Sequence, residues 1–128
     1  VPEVAAVGVV DVAGAIIAGV EEPDDRLEAR IISSCVSGID VKLLRQLVSF
    51  VQQLRALDLK KLPSVSETLD WAKVMVLMHT TVLEVGLARD TLNVLLKFEA
   101  DIEAAGKQLA GIVNKAQREA GVVDAGRA

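Results

Sequence analysis

From Pro23 onward the sequence keeps one hydrophobic period, close to 3.6 residues, and never turns to the alternation of a strand. Leu44, Leu47, Val48, Val51 and Leu54 recur at i, i+3, i+4, i+7 and i+10, while Lys42, Arg45, Gln46, Ser49, Gln52 and Gln53 take the other side. A helix with one apolar stripe can bury it only against another element, and here the other elements carry the same pattern. An all-α fold follows, a small helical bundle of four to five helices joined by short connections.

Capping residues divide the pattern. Asp25 with Glu28 three residues later is a capping-box-like start, and Leu27, Ile31, Ile32 and Cys35 then share one face, so a first helix is predicted over Asp25 to Val36. Gly38 ends it, and Asp40 caps the next. The stretch Asp58-Leu-Lys-Lys-Leu-Pro63 marks the end of that second helix, with the lysines suited to its carbonyl end. Ser64-Val-Ser-Glu67 is a full capping box and opens a third. Its continuation through Leu69, Trp71, Ala72 and Val74 to Met78 is apolar all round in its second half, which predicts the most buried helix of the bundle, with Leu77 in the core.

His79-Thr80-Thr81 and Gly86 separate it from a last seam. There Ala88, Thr91, Leu95, Phe98, Ile102, Ala105, Leu109, Ile112 and Ala116 alternate at three and four residues, as one long helix or two broken near Gly106. Residues 23–120 thus make one helical domain, residues 121–128 a frayed tail, and residues 1–22 an irregular Val/Ala/Gly-rich segment whose Val9, Val10 and Val12 find no second strand to pair with.

Chemistry is restricted by what the chain lacks. It has 128 residues, 14 basic and 18 acidic, with no Lys/Arg cluster of the kind that tracks a phosphate backbone, so nucleic acid is not an expected partner. Cys35 and His79 are the only residues of their types, which rules out an intrachain disulfide and a Cys/His zinc site and suits a reducing cytoplasm. Glu3 and Asp11 interrupt the first twenty residues and no basic residue precedes them, so neither a signal peptide nor a membrane span is expected there.

The one Gly-Lys pair, Gly106-Lys107, has Asp101 where a P-loop needs its first glycine, and is followed by Gln108. Cys35 falls on an apolar face and His79 at a helix end, so neither reads as a nucleophile or base. Glu99 with Glu103, and Asp101 with Glu119, fall on the solvent side of the last seam and read as a solvated face. Met75 and Met78 read as core fillers.

Two longer runs carry a resemblance. Residues 50–73, from Phe50-Val-Gln-Gln-Leu through Leu62-Pro-Ser-Val-Ser-Glu67 to Trp71-Ala-Lys73, and residues 89–102, Arg89-Asp-Thr-Leu-Asn-Val-Leu-Leu-Lys-Phe-Glu-Ala-Asp-Ile102, resemble the C-terminal helical lid of MoxR-type AAA+ ATPases. The branch they resemble is the one associated with carbon monoxide dehydrogenase maturation. Pro23-Asp-Asp-Arg-Leu-Glu-Ala-Arg-Ile-Ile32 is similar to that family's entry into its lid, so the likeness covers about residues 23–115.

The resemblance implies a lid that closes over nucleotide bound by a separate α/β core and meets the next subunit of a ring. It implies chaperone-like remodelling, or insertion of a metal cofactor into a client enzyme. ATP and Mg²⁺ would be bound through the core, which carries the P-loop; the lid alone is expected to hold no cofactor and to show no ATPase activity. On that reading the chain is a fragment, partnered by an ATPase core, neighbouring ring subunits and a client. Lids of this kind often place a sensor arginine after a Pro-Ser turn, a position that falls near Ser66 here. Serine cannot supply that charge, but Ser64, Ser66 and Glu67 stand at a helix start whose free N–H groups favour anions, and these three are the candidate nucleotide-facing residues. From the pattern alone, the other expectation is a free-standing helical module whose seam over Ala88–Ala116 binds a partner helix.

Overall fold

The structure, a computed structural model, describes residues 25–121. The irregular segment expected over 1–22 lies outside those residues, and so does the expected tail apart from Gly121. Six helices run in order: α1 Asp25–Cys35, α2 Val41–Arg55, α3 Val65–Leu77, α4 Val85–Leu95, α5 Glu99–Lys107 and α6 Leu109–Glu119, with no strand among the described residues. The fold is an all-α bundle with one helix more than the expected four to five.

Asp40 and Ser64 cap their helices as expected, but the Asp25–Glu28 start does not form a capping box: Asp25 is already the first residue of α1, and the Glu28 carboxylate is turned inward onto Arg55 and Gln52. Asp40 accepts from the backbone N–H of Lys42 at 3.0 Å and Leu43 at 3.1 Å, which satisfies donors that helix geometry leaves without partners. Gly38 and Gly121 take the left-handed conformation, at φ 79° and 74°, just beyond α1 and α6. The end of α3 uses the same device without a glycine. His79 stands at φ 56°, its N–H donates to Val76 O and the Thr80 N–H to Met75 O, each at 3.0 Å, so two last-turn carbonyls are satisfied at the cost of a strained histidine.

α2, and not α3, is the central helix. It packs against α1, α3 and α6, and eight of its fifteen residues are buried, Leu47, Phe50, Val51 and Leu54 completely. α4 closes the other side by packing on α3, α5 and α6. Phe50 and Trp71 meet in the core with ring centroids 5.0 Å apart and planes tilted by 35°. The Trp71 indole N–H donates to Thr91 Oγ1 at 2.8 Å, and the Thr91 hydroxyl donates on to Leu87 O at 2.8 Å, so no polar atom of this pair is stranded.

Several expectations are corrected here. α3 buries Trp71, Ala72 and Met75, with Val76 packed against the core, but Leu77 and Met78 are 78% and 54% exposed. An apolar run marks a buried segment only on the face that a neighbour covers, and Leu77, two residues on from the buried Met75, is turned about 200° away from it round the helix. α2 ends at Arg55, so Lys60 and Lys61 lie in the following loop and not at its carbonyl end. Gly86 lies within the first turn of α4 and not between helices.

The last seam is three helices. Leu96 and Phe98 take extended backbone, with ψ 139° and 138°. That break lets consecutive Leu95 and Leu96 both reach the core, each 1% exposed, whereas continuous helix would rotate them about 100° apart; it leaves Phe98 45% exposed. A second break falls at Gln108, beside the expected Gly106.

Candidate functional site

α3 begins with the capping box its sequence spells. Ser64 is extended at φ −90° and ψ 172°; the Glu67 N–H donates to Ser64 Oγ at 3.2 Å, and the Ser64 N–H donates to Glu67 Oε1 at 2.8 Å. Ser64 and Glu67 are therefore occupied with each other. Ser66 is exposed, and in helix geometry the N–H groups of Val65 and Ser66 find no partner within the first turn.

Around this helix start the fold gathers residues that sequence spacing did not associate with it. Lys97, from the α4–α5 junction, brings its Nζ to 3.2 Å from Glu67 Oε2, and Lys61 brings its own to 3.8 Å. Both lysines are about half exposed, while Glu67 is almost buried. Burial opposes ionisation of Glu67. The Ser64 N–H, the ammonium of Lys97, the charge of Lys61 and the Ser64 hydroxyl together outweigh it, so the carboxyl is held below its ordinary range.

Asp101 positions this cluster. Expected on a solvated face, it is 3% exposed, and its two oxygens accept the backbone N–H groups of Lys60 at 2.8 Å and Lys61 at 3.1 Å. One carboxylate thus pins the 60–61 peptide to the first turn of α5, and that pinning directs Lys61 toward Glu67. Lys60 lies over the Phe98 ring, 5.8 Å from its centroid. The expected Asp101–Glu119 pair is not formed: Glu119 is at the far end of α6, accepting from Ser49 Oγ at 2.6 Å and 3.9 Å from Lys115 Nζ. Glu99 and Glu103 are exposed, as a solvated face requires.

Among the described residues no other grouping suits catalysis. His79 is exposed in its left-handed turn and Cys35 is half-buried on α1. Among the described residues no three His, Cys, Asp or Glu side chains come together as a metal site, and no helix is long and apolar enough to cross a membrane. What the α3 start offers is positive charge from two lysines and a helix N-terminus, balanced by one carboxylate. Such an arrangement can meet an anion, or an acidic side chain that displaces Glu67, but it has no nucleophile or proton acceptor set against a reacting group.

Of the three residues singled out in the sequence, Ser64 and Glu67 are in direct contact, and Ser66 lies beside them on the exposed side of the same turn. Lys61, Lys97 and Asp101 were missed. The tandem Lys60-Lys61 ahead of Pro63 was visible, but nothing in the period of the last seam links Lys97 or Asp101 to it. No protein-family model matches the chain, and no curated protein or solved structure is found to be similar to it.

Proposed function

We propose that this chain is the lid module of a MoxR-like AAA+ ATPase, acting in chaperone-like remodelling or metal-cofactor insertion once joined to a nucleotide-binding core. The observation that carries the assignment is the lysine pair at the start of α3. Ser66 stands where a lid of this kind places a sensor arginine and cannot provide its charge, but Lys97 and Lys61 bring two ammonium groups to the same helix end. An incoming phosphate would compete with Glu67 for them, which makes the cluster responsive to a polyanion. The wording of residues 50–73 and 89–102 and the all-helical bundle are consistent with it. Mg²⁺ and the bulk of the ATP contacts belong to the core and its P-loop, and a reducing cytoplasm suits the single cysteine.

The test is a fusion of this chain to a competent MoxR-type core, assayed for ATP affinity and turnover with serine or arginine at position 66 and with Lys97→Ala. Arginine is expected to tighten ATP binding several-fold and Lys97→Ala to weaken it. No difference among the three, in a fusion that is folded and active, overturns the placement. The unfused chain is expected to show no ATP turnover, and steady hydrolysis that survives repurification overturns the lid assignment itself.

A specific observation favours a second reading, a free-standing helical interaction module. The seam over Ala88–Ala116 is not its surface, because Ala88, Leu95, Ala105, Leu109 and Ala116 are buried in the bundle core; what supports this reading is the exposed apolar end of α3 formed by Leu77 and Met78, which suits a protein partner better than a nucleotide.

A further inference from the structure

α1 and α6 both pack against α2 and leave between them a groove of about 470 Å³, a size typical of small-ligand sites, with a strip of α2 as its floor. Ala29, Ala56 and the buried Val48 give it an apolar lining. The polar groups of the α2–α6 wall are already bonded to one another. Gln53 donates to Ile112 O and Ser49 Oγ, the Ser49 hydroxyl donates to Glu119, and Lys115 lies 3.9 Å from the same carboxylate. Arg26 and Arg45 also line the groove, and both are exposed. Among the described residues neither guanidinium has a hydrogen-bond or ion-pair partner. We propose that this groove binds a small elongated dianion, two carboxylates joined by an apolar chain, with one carboxylate on each arginine and the chain over Val48 and the two alanines.

The placement of the two arginines chooses this ligand. Glu28, in the first turn of α1, bonds Gln52 and Arg55 in the last turn of α2, so Arg26 lies over the end of α2, whereas Arg45 projects from near its start. Along α2 the step from residue 45 to residues 52–55 is about 10–15 Å at 1.5 Å per residue, too far for a single carboxylate to meet both. A guanidinium takes a carboxylate on two parallel N–H groups, so each arginine is matched to one end of the ligand. The chemistry left unused in the groove is therefore cationic at its two ends and apolar between them. A protein partner is served less well, because docking of that kind relies on large apolar anchors, and the exposed ones, Val41, Leu77, Met78 and Phe98, are all outside the lining. None of the groove residues belongs to the cluster at the start of α3, so the proposal stands apart from the lid assignment.

Calorimetric titration of the full chain with dodecanedioate, a dianion of comparable length, tests it at low salt, with NMR methyl shifts locating the site. Saturable binding is expected below millimolar concentration, with shifts at Ala29, Val48 and Ala56 while Ile32 in the core stays in place. Dodecanoate should bind about fivefold more weakly, the gain that one surface ion pair brings, and dodecanediol more weakly still. Arg26→Gln and Arg45→Gln, both at exposed positions, should each erase the preference for dodecanedioate over dodecanoate and leave thermal unfolding unchanged. Equal affinity of the parent chain for the two acids overturns the proposal, as does a preference that neither arginine variant touches. Shifts scattered over the surface and absent from the groove methyls mark adventitious binding and overturn it as well. So does binding of a peptide of alternating glutamate and leucine where dodecanedioate fails, which would make a protein partner the occupant.

Discussion

Replacing Glu28 by glutamine tests the least expected feature of the core. Glu28 has no solvent exposure, and its two oxygens accept from Arg55 Nη1 and Nη2 at 2.7 Å each, a bidentate pair whose arginine is only 6% exposed. Gln52 Nε2 adds a bond to Glu28 at 3.0 Å, and Arg55 Nε donates to Pro63 O at 3.0 Å, so one network ties α1 to α2 and to the turn that starts α3. Glutamine keeps the shape, removes the charge, and turns an amide N–H₂ toward a guanidinium that can only donate.

Leaving one partner of such a pair buried and alone costs about 3–5 kcal/mol. Against a total of about 5–15 kcal/mol for a domain, this is a large share. For about 100 ordered residues each kcal/mol moves Tm by roughly 4–8 °C, so Glu28→Gln should melt at least about 12 °C below the parent. Urea and thermal unfolding followed by helical circular dichroism measure it. The double variant Glu28→Leu with Arg55→Met, which removes both charges, should lose less than either single charge-removing change. A Glu28→Gln loss below about 1 kcal/mol would refute the claim that this network holds α1 on the bundle.

Three further outcomes are expected. Trp71→Ala should cost about 3–5 kcal/mol in urea unfolding, whereas Leu77→Ala, at an exposed helix end, should change stability by less than about 0.5 kcal/mol. Because the folded-state pKa of Glu67 lies below its unfolded value, its contribution is complete above about pH 4.3, the ordinary glutamate value, and is lost as pH falls through the folded pKa; unfolding between pH 5 and 3 should be less pH-dependent in Glu67→Gln. His79→Gly should stabilise the chain by up to about 1 kcal/mol in thermal unfolding, since glycine takes φ 56° without the clash a Cβ meets.

The helix starts and stops were legible because capping is local. Asp40, Ser64 with Glu67, and Gly38 each act on backbone groups within a turn of themselves, and each does in the fold what its spacing implies. The end of α3 was less legible, since a histidine takes the place usually held by glycine. At the candidate site the serine–glutamate half was readable for the same local reason. The lysine–aspartate half was not, because Lys61 and Asp101 are forty residues apart and meet through one backbone peptide.

Polar side chains show the same division. Gln46 falls on the polar side of α2 by period, yet it is fully buried: its amide donates to Lys42 O and Thr81 O at 3.1 Å and accepts from the Leu83 N–H at 2.6 Å. Gln53 likewise donates to Ile112 O at 3.0 Å, and Gln117 to Leu83 O at 2.6 Å. Periodicity ranks residues by their own hydropathy, but loop carbonyls and amides that reach the interior need partners, and a long amide side chain on a central helix can supply them.

The sequence by itself determined the class of fold, most of the helix starts and the capping chemistry, because these depend on interactions within a few residues. Only the tertiary structure decided which helix is central, where the last seam breaks, that Leu77 is outside while Glu28 and Asp101 are inside, and which lysines face Glu67. Those outcomes depend on which surfaces meet, and burial is set by neighbours far along the chain.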